Sequence, residues 1–173
     1  MCPDGICSPC HRGFGPPDRN PGSGLRFPLP PHQRRCTMAY LFPSDAWAKA
    51  LMEVLNASEA YAQAAKNWEG DCFFTIEPEG SMTRPVNLWF DLWHGKCRAA
   101  REIPPEEEVT PAFRFSGKLS VYQKIFEGKL DPIKALMTRQ LKLQGDMKAI
   151  MRAPKAAQEL VRCATQVETV YPE

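Results

Sequence analysis

Cysteines, histidines and clustered carboxylates are the groups here that could do chemistry, and one such set lies early in the chain. Cys7-Ser8-Pro9-Cys10-His11 has the C-x-x-C-H spacing that attaches a c-type haem. With Cys2 and Cys36, the same residues offer a loose zinc set. The surrounding sequence supports neither. Haem attachment requires export, and the N-terminus lacks the apolar h-region of a secretory signal. A proline lies inside the motif, and no helical period surrounds it. Residues 1–37 hold eight of the 17 prolines and five of the 11 glycines. Such a segment cannot bury enough apolar area to offset its ordering entropy. It is read as a disordered tail, or as a stretch upstream of a start at Met38, with one folded domain over 38–173.

After the tail, reactive groups are sparse. His94 is the one remaining histidine, and its place between two strand patterns makes it an exposed hairpin residue. Ser-His-Asp and Cys-His arrangements therefore have one candidate base, badly placed. Glu106-Glu107-Glu108 lacks the Gly turn of a cation loop and reads as solvated. Asp71, Asp131 and Asp146 fall at turns and helix starts. No Gly-rich phosphate loop occurs, and no cluster in the body has metal-ligand spacing. The expectation is a protein that is not an enzyme, with no catalytic residue, no metal and no cofactor. Cys72, Cys97 and Cys163 sit inside apolar patterns, as free, buried, reduced cysteines do.

A net charge of +2 is too small to imply a nucleic-acid partner. It is also unevenly placed. The tail has five Arg against Asp4 and Asp18, and the remainder has 17 basic and 18 acidic residues. No window approaches the roughly 18 apolar residues of a transmembrane segment. These features predict a cytoplasmic protein. Its 173 residues are enough for a core that needs neither disulfide nor metal.

The elements that must position any site follow from apolar spacing. Ser44-Asp45 open a helix carrying Trp47, Leu51, Val54 and Leu55. Asn56 breaks it and opens a second helix, with Glu59 at capping-box distance. That helix presents Tyr61, Ala64, Ala65 and Trp68, and ends at Gly70. A strand over 71–77 sets Cys72, Phe74 and Ile76 on one side. Another over 86–93 sets Val86, Leu88, Phe90 and Leu92 on one face, and Asn87, Trp89, Asp91 and Trp93 on the other. A His94-Gly95 turn leads into a strand over 96–102. Phe113 and Phe115 point inward from a short fourth strand ended by Gly117. The next helix buries Val121, Tyr122, Ile125 and Phe126. Asp131-Pro132 start a helix that buries Ile133, Leu136 and Met137. Leu141-Lys142-Leu143 is a fifth strand. Asp146 caps a helix with Met147, Ile150 and Met151, and Pro154 restarts it with Ala157, Leu160, Val161, Ala164 and Val167.

This order predicts an α+β fold, a five-stranded, mostly antiparallel sheet with about five helices on one face. Periodicity alone leaves open whether the inner face is a filled core or a cavity wall. Met137, Met147 and Met151 favour a wall, because flexible thioethers suit an adaptable surface.

The run from Gly117-Lys118 through EGKLDPIKALMTRQLKLQGDMKAIM resembles the sterol-carrier-protein type two (sterol-binding) domain family. Leu141-Lys142-Leu143-Gln144-Gly145-Asp146-Met147 carries the resemblance most closely, and it extends upstream through GDCFFTIEP and VNLWFDLWHGKC. It covers roughly 44–167. The resemblance implies an apolar tunnel between sheet and helices that binds and transfers a lipid: a fatty acid, an acyl-CoA, a sterol or an isoprenoid-like molecule. Its expected lining comprises Phe74, Ile76, Leu88, Phe90, Phe113, Phe115, Tyr122, Ile125 and Phe126. Leu136, Met137, Leu141, Leu143, Met147, Ile150, Met151, Leu160 and Val161 complete it. The family also includes accessory proteins of quinone biosynthesis, so a second expectation is a module that presents a lipid intermediate to a partner enzyme. Trp89 and Trp93 would be the contact patch, for that enzyme or for a homodimer. Transient membrane contact stays open. Lys134, Arg139 and Lys142 either hold an anionic headgroup at a tunnel mouth or are solvated. The C-terminus, Val170-Tyr171-Pro172-Glu173, is not a peroxisomal address.

Overall fold

The computed structural model describes residues 39–172; the Cys7–His11 motif and the proposed tail lie outside them. Alternation forms the sheet. In β2 (Cys72–Glu77) and β3 (Val86–Trp93), Leu88, Phe90 and Leu92 turn to the buried side and Trp89 and Asp91 turn away. β4 (Lys96–Ile103), β5 (Phe113–Lys118) and β6 (Leu141–Gln144) complete five strands in the order β4-β3-β2-β5-β6. β2, β3 and β4 form an antiparallel meander, and β5–β6 is also antiparallel. β2–β5 is the parallel pair. Residues 104–112 therefore carry the chain from the β4 edge back across two strands.

Six helices are described where about five were expected. α1 (Asp45–Ala57) is capped by the Ser44 hydroxyl, which accepts from Trp47 N at 3.2 Å. α1 runs one residue past Asn56 and α2 (Glu59–Ala64) is capped by Ser58, which corrects the sequence reading. Asn56 has another task. Its Oδ1 accepts from Cys97 N at 2.9 Å and its Nδ2 donates to Cys97 O at 2.8 Å, so one amide side chain pairs with the free edge of β4. This serves the backbone groups that an edge strand leaves unpaired. α3 (Leu119–Phe126) follows β5 directly, with Gly117 inside the strand and not beyond it. Asp131 caps α4 (Pro132–Met137) by accepting from Ile133 N and Lys134 N, with Pro132 at the first position. Asp146 caps α5 (Met147–Arg152), and α6 (Pro154–Ala164) restarts at Pro154. α6 packs against each of the other five helices.

The ends of the domain meet. β1 (Tyr40–Leu41) pairs in parallel with β7 (Thr169–Val170), and Trp47 Nε1 donates to Thr169 Oγ1 at 2.9 Å. Two-residue strands carry no readable alternation, which is why the sequence did not show them. At the β3–β4 turn, His94 and Gly95 both have positive φ, 46° and 76°. Gly95 is buried against the Ala62 backbone, where a Cβ would collide.

The two sheet faces differ in their cover. The helices take one. On the other, Arg101, Trp89, Phe73 and Arg114 stand side by side on four adjacent strands. The guanidinium groups lie over the rings, Arg101 at 5.6 Å from the Trp89 centroid and Arg114 at 4.5 Å from that of Phe73. Both arginines also hold the 104–112 crossover, through a paired contact to the Glu107 carboxylate and a 2.9 Å bond to Val109 O.

Candidate functional site

Between sheet and helices lies an internal space of about 100 Å³ with an almost wholly apolar wall. The sheet supplies Cys72, Phe74, Leu88, Phe90, Leu92 and Phe115. They meet there because each occupies the inward position of its strand, and strand neighbours such as Phe74 and Phe115 stack at 5.1 Å between centroids. α3 supplies Tyr122, Ile125 and Phe126; α4 supplies Pro132, Ile133 and Leu136; β6 gives Leu141 and α5 gives Ile150. Ala153, between α5 and α6, with Ala156, Ala157, Leu160 and Val161 of α6, closes the far side. Small alanines there keep the helix backbone near the space without filling it.

Most of the expected lining residues stand on this wall. Six do not. Ile76 is fully buried in the core but is not on the wall of the space, and Phe113 packs on Trp68 at 4.9 Å between centroids. Leu143 is half-buried beside the core. Met137, Met147 and Met151 are corrected outright, because they are 71%, 40% and 49% exposed. The helices that carry them have six residues each, under two turns. So short a helix buries a narrow stripe, Ala135–Leu136 in α4 and Ile150 in α5, and the methionines flank it.

The N-terminal segment contributes wall residues that were not anticipated: Phe42, Trp47, Leu51, Tyr61 and Trp68. Phe42, Trp47 and Phe126 form one aromatic cluster, with centroids 4.7–5.4 Å apart. The helical spacing of Trp47 and Leu51 was legible, but not the fold-level contact that brings them opposite α3.

The electrostatics are those of a hydrocarbon container. No Asp, Glu, Lys, Arg or His lines the space. Tyr122 Oη donates to Phe115 O at 3.2 Å. Burial pushes the Tyr122 and Tyr61 phenols and the Cys72 thiol up, so all three stay neutral at ordinary pH. Every buried side-chain nitrogen or oxygen among the described residues has a partner. No group of three or more His, Cys, Asp or Glu is placed to hold a metal ion among them. His94, half-exposed, has its Nδ1 2.8 Å from Lys66 O and its Nε2 3.3 Å from Glu69, remote from any nucleophile pattern.

The model of the SCP-2 sterol transfer family matches residues 49–158, which takes in both the sheet and the helices that enclose the space. The chain belongs to that family. It is a family of lipid-binding and lipid-transfer domains, in general non-catalytic. Two solved structures are similar at 38% identity and a TM-score of 0.66, each aligned with 72% of this chain. One is a sterol carrier protein 2 crystal structure, of which 97% is covered. The other is the solution structure of a conserved hypothetical protein from Thermus thermophilus, itself likened to a sterol carrier protein, covered over 88%. No curated protein matches. Among the described residues, no helix is long and apolar enough to cross a membrane.

Proposed function

We propose that this domain binds and transfers a lipid without covalent chemistry, holding its aliphatic part between sheet and helices. The apolar space carries the reading. It is lined from every layer of the fold and has no charged group that could take part in a reaction. Each buried methylene contributes about 0.8 kcal/mol, so a sixteen-carbon chain has a gross drive on the order of 12 kcal/mol before ordering costs.

The space must widen to hold such a chain. A cavity of about 150 Å³ accepts benzene, and this one is about 100 Å³. We place the yielding wall at α5–α6, because α5 ends at Ala153 and α6 restarts at Pro154 as a separate helix. Phe74 lines the space and is only half-buried, since part of its ring faces that space. Fatty acids, acyl-CoA, sterols and isoprenoid-like molecules all present the required apolar body.

Ala157→Phe tests the reading. Its ring enters the space, so binding of a fluorescent fatty acid or sterol should fall at least about tenfold, while thermal stability changes by less than the 1–3 kcal/mol of ordinary overpacking. Unchanged affinity for every such probe in a folded variant would refute it.

The outer sheet face gives a presenting or dimerising role little to work with. Trp89 Nε1 is bonded to Asp71 Oδ2 at 2.7 Å, and Trp93, 38% exposed, already lies against Arg98 at 5.0 Å.

A further inference from the structure

The short segment 134–155 departs in charge from the rest of the domain. It carries Lys134, Arg139, Lys142, Lys148, Arg152 and Lys155, all exposed, and one acid, Asp146. The Asp146 carboxylate is engaged with Lys148 N at 2.8 Å. The other described residues hold 11 basic and 16 acidic side chains. Of the six cations only Lys142 has an ion-pair partner among the described residues, Glu77 at 3.6 Å.

The same segment exposes three of the six large apolar side chains that are exposed among the described residues: Met137, Met147 and Met151. Met147 and Met151 are one turn apart on α5, and Lys148 and Arg152 are one turn apart beside them. Ile150, which the two methionines flank on that helix, lines the cavity.

From this we propose that α5, with the adjoining ends of α4 and α6, docks the domain onto an anionic lipid bilayer. Cations draw the segment to the surface and the thioethers enter the headgroup boundary. A second copy of the chain would meet like charge there. A nucleic acid would leave the methionines without an apolar partner. Leu136, Ile150 and Ala153, on or beside the same short helices, line the cavity. The inference rests on the lipid-carrier reading but is separable from it.

The test is co-sedimentation of the full chain with vesicles of phosphatidylcholine alone or mixed with phosphatidylserine, at low and high salt. Binding should require phosphatidylserine and weaken with salt. Lys148→Glu with Arg152→Glu should reduce it about 30-fold or more. Lys66→Glu with Arg84→Glu makes the same change in net charge elsewhere and should cost much less. Met147→Ser with Met151→Ser should also weaken binding, without changing its salt dependence. Equal binding to neutral vesicles would overturn docking, as would equal loss in both charge-reversed variants. So would a preference for an oligonucleotide over vesicles in the wild type. In the absence of vesicles, Lys148→Glu with Arg152→Glu should bind a fluorescent fatty acid as the wild type does. Failure of wild type to bind any such probe, with vesicle binding intact, would reject the carrier reading and leave docking standing.

Discussion

Phe73 and Phe74 are neighbours on one strand, yet they live in opposite conditions. Phe73 is 2% exposed on the face away from the helices, under the Arg114 guanidinium and beside Trp89. Phe74 is half-buried on the helix side and borders the internal space. At this pair the outward ring is the more tightly enclosed of the two, although its outward neighbours on β3, Asn87, Trp89 and Asp91, are only partly buried. The Arg114 guanidinium and the Trp89 ring enclose Phe73, whereas Phe74 borders the internal space.

The sharpest way to break the comparison is to truncate each ring. Phe73→Ala should cost about 3–5 kcal/mol, the usual range for a fully packed phenylalanine. Phe74→Ala should cost less than about 3 kcal/mol, because part of its surface already faces space. Denaturant unfolding of the two variants measures both. Equal losses would mean that the two faces are packed alike.

Asp71 sharpens the account of the tight face. One carboxylate accepts from Trp89 Nε1 at 2.7 Å and from Ala112 N at 2.8 Å, joining β2, β3 and the end of the crossover. Asp71→Ala leaves a half-buried indole N–H without its acceptor, at about 2 kcal/mol. The same denaturant series should show it. Ligand affinity should change little, since nothing in the cavity wall is removed.

The sequence showed these two faces unequally. Strand alternation placed Leu88 and Phe90 correctly on the helix side, because period two has no competing reading over the eight residues of β3, and it placed Phe115 there from a shorter strand. The resemblance located the late motif, and the comparisons bear out the family. The methionines were misplaced because a six-residue helix fits more than one face to a 3.6 period. Phe42, Tyr61 and Trp68 were missed as wall residues because their neighbours lie far along the chain. The closed outer face was hidden for the same reason. Arg101, Arg114 and Glu107 are separate charges in sequence and form one clamp only after β5 returns beside β2.

The smallest effect concerns that clamp. Hydrogen bonding from the Arg101 side chain, and then its charge, hold the Glu107 carboxyl below its ordinary value of 4.5. A depressed carboxyl pKa stabilises the folded form above 4.5, and that contribution is lost as pH falls through the lower folded value. Acid should therefore loosen the 104–112 crossover before it unfolds the sheet, while the uncharged cavity wall has nothing to titrate there. Limited proteolysis below pH 4.5, with a protease active in acid, should cut first within 104–112. Glu107→Gln should show the same cleavage at neutral pH, with only a slight drop in melting temperature. If the variant were as resistant as wild type, the 2.9 Å contact to Val109 from Arg114 and the 2.8 Å bond from Ala112 N to Asp71 would be holding the loop. The crossover would then depend on Arg114 and Asp71 and not on the Arg101–Glu107 pair.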